Sequence, residues 1–205
     1  AKPEDKMAVF AVLMRLREIC CDPRLIADNW EGGSAKLDAC VELVSSAVEG
    51  GHRILLFSQF TSMLELLAKR LDEAGVSHFT LQGSTPKPVR AEQVRRFNQG
   101  EADVFLISLR AGGTGLNLTA ADIVIHYDPW WNLAAQNQAT DRAYRIGQRN
   151  PVQVYRLIAQ DTIEEKIVEL QQAKQSLADT VTGGADGAIL SMNPEQLLQL
   201  LGEEA

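Results

Sequence analysis

The chain has 205 residues, of which 45% are hydrophobic, enough to bury a substantial core as one domain with an appended helical segment. No apolar run approaches the ~18 residues of a membrane span, and the N-terminus lacks a signal-peptide layout, so we expect no membrane partner and a cytoplasmic location. The three cysteines and three histidines show neither ligand nor disulfide spacing, and we therefore expect no metal site.

The net charge of −7 excludes a protein that wraps nucleic acid by electrostatics alone, but this charge is unevenly distributed. Residues 81–150 hold eight basic and six acidic side chains, a net of +2, whereas residues 151–205 hold three and nine, a net of −6. A solvated acidic tail on an ordinary domain would give the same asymmetry. Any argument for nucleic-acid binding must therefore come from sequence motifs.

Two amphipathic helices are predicted before the first strand. Apolar residues over 9–21 recur at the 3.6-residue period of a helix, and an Asp-Pro pair ends the pattern. Ser34 is a suitable N-cap for a second helix that runs through Val48 to a Gly-Gly pair. Residues 1–50 are thus expected to form N-terminal helices that lead into the main lobe.

The next part of the chain alternates between strands and helices. Short continuous apolar runs at 54–57, 104–107 and 123–125 are typical of parallel strands covered on both faces. Helical patterns over 63–71 and 89–97 lie between them, the first stopping at a glycine. This alternation predicts an α/β fold, with a parallel sheet and helices on both faces.

The C-terminal part is predicted to be mainly helical. A last strand within 152–158 is followed by a long acidic helix over 161–182 and a short helix over 194–201. We assign residues 51–160 to the core of the lobe and 161–205 to a helical extension. The long helix could brace a second lobe or cover an exposed sheet edge, and the pattern fits both.

Polar segments follow the predicted strands. They are Ser58-Gln59, Gly83-Ser84, 108–117 and 128–132. Because ligands bind at the carboxyl ends of strands in open α/β sheets, these segments are expected to share one functional edge.

The segment 108–117 contains a glycine-rich loop that can approach a phosphate or another backbone closely. Gly113 and Gly115 begin a G-x-G pattern, but Leu118 replaces the third glycine of a dinucleotide fingerprint. The next strand starts near Ile123, which leaves no room for the crossover helix of a dinucleotide-binding unit. A tight structural turn is the other reading of these glycines.

From the N-cap Asn132 to Ile146 a helix with two distinct faces is predicted. One face carries Gln138, Arg142 and Arg145, spaced four and three residues apart, and these side chains can reach a ligand such as a phosphoryl group. The alternative is that this polar face is simply solvated, with the arginines paired to a neighbouring acidic side chain. The other face, whose mostly small side chains can lie close against a sheet, holds Ala135, Ala139, Ala143 and Ile146.

In this order, these motifs resemble the C-terminal RecA-like lobe of a Swi/Snf-family ATPase of helicase-like superfamily two, in a bacterial or archaeal form. The resemblance covers nearly the whole chain. Residues 54–60 resemble motif four of the family, and residues 81–86 resemble its Leu-x-Gly-Ser-Thr turn. Residues 108–117 resemble motif five, and residues 138–148 resemble motif six. The helix that precedes the lobe in this family resembles 16–23.

The resemblance implies one half of an ATP-driven motor that moves along duplex DNA and displaces or remodels a DNA-bound protein. ATP and Mg²⁺ would be held mainly by an N-terminal RecA-like lobe, while Arg142 and Arg145 match the family's arginine fingers. Gly113 and Gly115 would shape the face between the lobes, and Gln138 would orient phosphate. Lys36 resembles a lysine of the family's Ser-x-Lys-Leu motif, at the lobe interface.

The resemblance also implies contacts with one DNA strand through its backbone, which carry no sequence information. Trp131 matches a family tryptophan that approaches the DNA, although packing of the loop onto the sheet is an equally good reading. The residues expected to contact DNA are Ser58, Gln59, Ser108, Arg110, Asn117 and Trp131.

The sequence contains no G-x-x-x-x-G-K-[ST] phosphate loop, and its one Asp-Glu pair of this type, Asp72-Glu73, closes a helix rather than a strand. The lobe alone is therefore expected not to hydrolyse ATP. The alternative hypothesis is a nucleic-acid-binding or protein-binding module whose ATPase motifs are vestigial.

Overall fold

A computed structural model describes residues 3–112, 116–141 and 151–178. Within these ranges a 3₁₀-helix (Pro23–Leu25) follows the first α-helix. The helices are α1 (Pro3–Cys21), α2 (Ala35–Glu49), α3 (Thr61–Glu73), α4 (Lys87–Asn98), α5 (Leu109–Gly112), α6 (Leu133–Thr140) and α7 (Ile163–Ala178). The strands are β1 (Ile54–Ser58), β2 (His78–Leu81), β3 (Val104–Ser108), β4 (Ile123–His126) and β5 (Gln153–Arg156).

The five strands form one sheet in the order β2-β3-β1-β4-β5, and every pair is parallel. At the centre, Leu56 of β1 lies opposite Leu106 of β3 and Ile125 of β4. All residues of these three strands are buried, as the continuous apolar runs predicted. The predicted α/β class is thereby confirmed.

The sheet buries a different hydrophobic cluster on each face, because successive side chains of a strand point to opposite sides. Leu56 packs with the buried residues of α2 and α3, among them Val44 and Leu67. Leu55 packs on the other face with residues of α4 and α6, among them Phe97. Helices therefore cover both faces.

Several predicted boundaries are confirmed by their capping contacts. The Ser34 side chain accepts a hydrogen bond from the Leu37 N–H at 3.3 Å, and α2 starts at the next residue, Ala35. Beyond α3, Gly75 adopts a positive φ of 71°, a conformation that favours glycine and stops the helix. Asn132 likewise caps α6 through a 3.1 Å bond from the Ala135 N–H.

The strand β2 and the short helix α5 were missed from the sequence. Residues 78–80 of β2 are only half-buried at the sheet edge, so they lack the continuous apolar run that marks the inner strands. Helix α5 has four residues, too few to show a helical period.

The helix α7 packs along α1. Leu13 of α1 is fully buried against Ile163 and Ile167 of α7. The expected continuation of this helix to residue 182 and the terminal helix over 194–201 lie outside the described residues, and the division at residues 50 and 160 stays a prediction. No helix within the described ranges is long and apolar enough to span a membrane.

Candidate functional site

A polar groove runs along the carboxyl ends of β1, β2 and β3. Its volume is about 640 Å³. The groove contains three of the polar segments that the sequence placed at one edge, those beginning at Ser58, at Gly83 and at Ser108, represented by Gln59, Gly83, Ser84 and Ser108. Its lining residues are Met14, Glu18, Gln59, Phe60, Thr61, Ser62, Gln82, Gly83, Ser84, Ser108 and Leu109.

The groove is lined mainly by neutral hydrogen-bonding groups, and Glu18 is its one charged side chain among the described lining residues. Gln59 is half-buried at the groove, and Thr61 and Ser62 are exposed at the start of α3. Amide and hydroxyl groups of this kind suit the phosphate and sugar oxygens of a nucleic-acid backbone, and they do not distinguish bases.

Asp128, two residues after the end of β4, anchors the loop beside this groove. Its side chain is fully buried, and its Oδ1 accepts bonds from the Ser58 hydroxyl at 2.6 Å and the Gln59 N–H at 3.2 Å. Burial raises the pKa of Asp128, while the nearby Arg17 charge and the Ser58 hydroxyl oppose that rise. The carboxylate thus holds the loop after β1 in place.

The two serines predicted to contact DNA have partners inside the lobe. Ser58 is fully buried and, besides donating to Asp128, accepts a 3.2 Å bond from the Phe60 N–H. Ser108 is 2% exposed and accepts a 3.4 Å bond from the Ala111 N–H. A DNA contact by the Ser58 hydroxyl would require it to leave Asp128, whereas Ser108 already lines the groove.

The two tryptophans after β4 both pack inside the lobe. Trp130 is 1% exposed, and its ring lies edge-on to the rings of Phe57 and His126. Its backbone N–H donates to Gln136 Oε1 at 3.1 Å, and its carbonyl accepts from the amide of Gln171 in α7. Trp131 is half-buried and joins the cluster between α1 and α7.

As far as the structure describes it, α6 agrees with the two faces predicted from the sequence. Ala139 is 2% exposed within the core cluster, and Gln138 is exposed. The structure describes α6 as far as Thr140 and its cap Asp141, and the rest of the predicted helix, with Arg142 and Arg145, lies outside the described residues. The same holds for Gly113 and Gly115 and for the side chain of Arg110. Asn117 is exposed, and its carbonyl accepts a 2.8 Å bond from the amide of Asn98.

His126, at the end of β4, connects the sheet to α6. Its Nε2 lies 2.8 Å from Thr140 Oγ1, and the same hydroxyl lies 3.3 Å from the Gln136 carbonyl. Burial first, and then the Arg156 charge, lower the pKa of His126 to about 3. The imidazole is therefore neutral at physiological pH.

Lys36, expected at a lobe interface, pairs within the lobe. Its Nζ lies 2.7 and 2.6 Å from the two carboxylate oxygens of Glu164, which is fully buried. The ammonium also lies 5.0 Å from the centroid of the Tyr127 ring. An interface role for Lys36 stays a prediction, and its visible partner is at the start of α7.

Sequence reasoning did not identify Asp128 or Arg17 as site residues, although each left a signal. Asp128 follows a buried strand at the functional edge. Arg17 lies in line with Leu13 and Cys21 at helical spacing, on the buried face of α1. A charged residue on an apolar stripe indicates a specific buried partner.

The sheet order, the paired clusters and the edge groove define a parallel α/β lobe of the RecA-like type. The model of the helicase conserved C-terminal domain matches residues 35–147, which is more than half of the sequence. The chain belongs to this family.

Relatives and solved structures agree with this assignment. An uncharacterized ATP-dependent helicase of Mycoplasma pneumoniae is 39% identical over 196 residues, which cover 94% of this chain and 19% of that protein. The C-terminal domain of the Sulfolobus solfataricus SWI2/SNF2 ATPase aligns with a TM-score of 0.77 and 28% identity over 98% of this chain and 83% of that one.

The core of the Sulfolobus ATPase in complex with double-stranded DNA aligns with a TM-score of 0.79 and 31% identity, covering 98% of this chain and 43% of that one. The resemblance to the C-terminal lobe of a Swi/Snf-family ATPase is therefore confirmed. The chain spans about a fifth of the length of the curated relatives that it matches.

Proposed function

We propose that this chain is the second motor lobe of an ATP-dependent translocase that moves along duplex DNA and remodels a protein bound to it. The observation that carries the proposal is the groove of neutral polar groups at the carboxyl ends of three parallel strands, in a lobe of the helicase C-terminal family. Support for duplex DNA comes from the similar Sulfolobus ATPase core, whose structure was solved in complex with double-stranded DNA.

On the DNA side, the groove would hold one strand by its backbone. Gln59 and Ser108 line the groove directly. Asn117 is exposed but does not line the groove, and its carbonyl accepts a hydrogen bond from Asn98 at the end of α4. These groups donate and accept hydrogen bonds without reading bases, so binding would be independent of sequence. The full set proposed for DNA contact is Ser58, Gln59, Ser108, Arg110, Asn117 and Trp131.

On the nucleotide side, Arg142 and Arg145 would act as arginine fingers toward ATP held with Mg²⁺ mainly by an N-terminal RecA-like lobe. A guanidinium at the γ-phosphate offsets the charge that develops during phosphoryl transfer. Gln138, exposed on α6, would orient phosphate, and Gly113 and Gly115 would shape the interlobe face. Among the described residues, no group of three or more His, Cys, Asp or Glu side chains is placed to bind a metal ion.

This assignment is tested by Arg142→Ala in a protein that joins this lobe to an N-terminal RecA-like lobe. Loss of an arginine finger lowers the rate of hydrolysis by about 10³-fold or more. Arg15→Ala, on the exposed face of α1, is the matched control and should leave the rate unchanged. If Arg142→Ala retains wild-type DNA-stimulated hydrolysis, the finger assignment is wrong.

A further inference from the structure

Arg17 is a fully buried arginine that reaches from α1 to the loop after β4. Its Nη2 donates a 2.6 Å hydrogen bond to the Pro129 carbonyl and lies 3.5 Å from Asp128 Oδ2. Both side chains of this ion pair have no exposed surface. A single guanidinium thus fixes the backbone and the carboxylate at the start of the loop that leads to α6.

The guanidinium also lies between two aromatic rings from different loops. Its central carbon is 5.4 Å from the Phe60 ring centroid and 5.2 Å from that of Trp131. Phe60 belongs to the loop after β1, and Trp131 to the loop after β4. At these distances a desolvated cation is attracted to the ring faces, so Arg17 ties the two loops to each other and to α1.

Asp128 completes the connection to the groove. The same carboxylate that faces Arg17 accepts hydrogen bonds from the Gln59 N–H, 3.2 Å from each of its oxygens. Gln59 lines the groove, so the chain of contacts runs from α1 through a buried charge to a groove residue. Loss of the Arg17 charge would leave Asp128 buried without its cation and would loosen this arrangement.

We infer that Arg17 is a positioning residue for DNA binding: it sets the relative position of the two loops that carry Gln59 and Trp131. The inference rests on the proposed function, because it assumes that these two residues contact DNA. A buried ion pair is weak evidence for stability, and specificity of arrangement is its better-attested use. Lysine cannot replace the guanidinium here. The flat guanidinium contacts a carbonyl, a carboxylate and two aromatic rings at once, and the compact ammonium group of lysine cannot make all of these contacts.

The test compares duplex DNA binding by the wild-type chain and by Arg17→Lys, using fluorescence anisotropy with a labelled duplex. We expect Arg17→Lys to weaken binding about tenfold, roughly what the loss of one hydrogen bond to the DNA backbone would cost. Because Arg17 is buried and touches no phosphate, the slope of affinity against salt should stay unchanged, whereas loss of one phosphate contact lowers it by about 0.9.

Two matched variants separate positioning from general destabilisation and from charge. Phe97→Leu trims a fully buried side chain of α4 in the cluster on the other face of the sheet, which contains none of the residues that contact Arg17. Arg15→Met removes an exposed positive charge from α1, the helix that carries Arg17. Both are expected to bind DNA within twofold of wild type at a temperature where all variants are folded.

In the two-lobe protein, Arg17→Lys should raise the DNA concentration for half-maximal ATPase stimulation and leave the rate at saturating DNA unchanged. The inference is overturned if Arg17→Lys binds as tightly as wild type, or if Phe97→Leu weakens binding as much as Arg17→Lys does. If the wild-type chain and Arg17→Lys bind duplex DNA equally well, only this inference is rejected and the proposed function stands. Absence of saturable duplex binding by the wild-type chain and the two-lobe protein rejects the proposed function as well.

Discussion

The ion pair between Lys36 and Glu164 gives the sharpest stability prediction, because it joins α2 to α7 in the interior. The Lys36 side chain is 9% exposed and that of Glu164 is fully buried. Lys36→Met keeps the length of the side chain and removes its charge, which leaves the carboxylate with the Ala159 N–H as its described donor at 2.8 Å.

Removing one partner of a buried pair costs about 3–5 kcal/mol. In a chain of this size, each kcal/mol lowers the melting temperature by about 2–4 °C, so Lys36→Met should melt about 6–20 °C below wild type. The double variant Lys36→Met with Glu164→Gln retains an acceptor for Ala159 and buries no charge. It should recover about 2 kcal/mol of the loss.

The loss should also depend on pH. Burial raises the pKa of Glu164, and the Lys36 charge opposes that rise. Without Lys36 the pKa rises further above its unfolded value, and a carboxyl raised in this way stabilises the folded state when it becomes protonated. The gap between Lys36→Met and wild type should therefore narrow as the pH falls through the raised pKa.

Thermal unfolding followed by circular dichroism at neutral and at mildly acidic pH measures these differences. Lys69→Met, an exposed lysine on α3, is the control and should change stability by less than about 0.5 kcal/mol. If Lys36→Met is within 1 kcal/mol of wild type, roughly a third of the smallest expected loss, the buried ion pair does not contribute to stability as described. The same follows if the double variant is no more stable than Lys36→Met.

Two further predictions concern His126 and Gln59. The pKa of His126 is lowered to about 3, below its ordinary value of 6.5, so its contribution to stability is present above pH 6.5 and is lost as the pH falls toward 3. The glutamine of His126→Gln does not titrate in this range. In urea unfolding, the free energy of unfolding of this variant should therefore fall less steeply with decreasing pH than that of wild type, by up to about 1.4 kcal/mol per pH unit. Parallel curves for the two proteins would contradict this. Gln59→Ala should weaken binding to two duplexes of unrelated sequence equally, by about 2- to 12-fold, which is the worth of one hydrogen bond. The control Gln172→Ala, at an exposed position of α7, should bind both duplexes like wild type. A loss of affinity for only one duplex would indicate that Gln59 reads bases.

The sequence predicted the inner part of the fold well, because buried parallel strands and capped helices have strong local signals. The central strands are continuous apolar runs, and the caps Ser34 and Asn132 satisfy N–H groups within three residues of themselves. The edge strand β2 lacked such a signal, since half-buried positions do not require apolar residues.

The candidate site was predicted by its position more than by its contacts. Polar residues that follow β1, β2 and β3 line one groove, as parallel topology favours, whereas no residue of 128–132 is among its described lining residues. The buried links between Arg17 and Asp128, 111 residues apart, and between Lys36 and Glu164, 128 residues apart, depend on tertiary packing. No local pattern encodes which cation reaches which carboxylate over such separations.

The most direct test of the central claim is ATP hydrolysis by this chain alone and by a protein that joins it to an N-terminal RecA-like lobe, each with and without duplex DNA. We expect no significant hydrolysis by the chain alone, and hydrolysis stimulated by duplex DNA in the joined protein. Hydrolysis by the chain alone would contradict the division of labour between two lobes. A folded joined protein that stays inactive with DNA would contradict the motor function and favour a binding module.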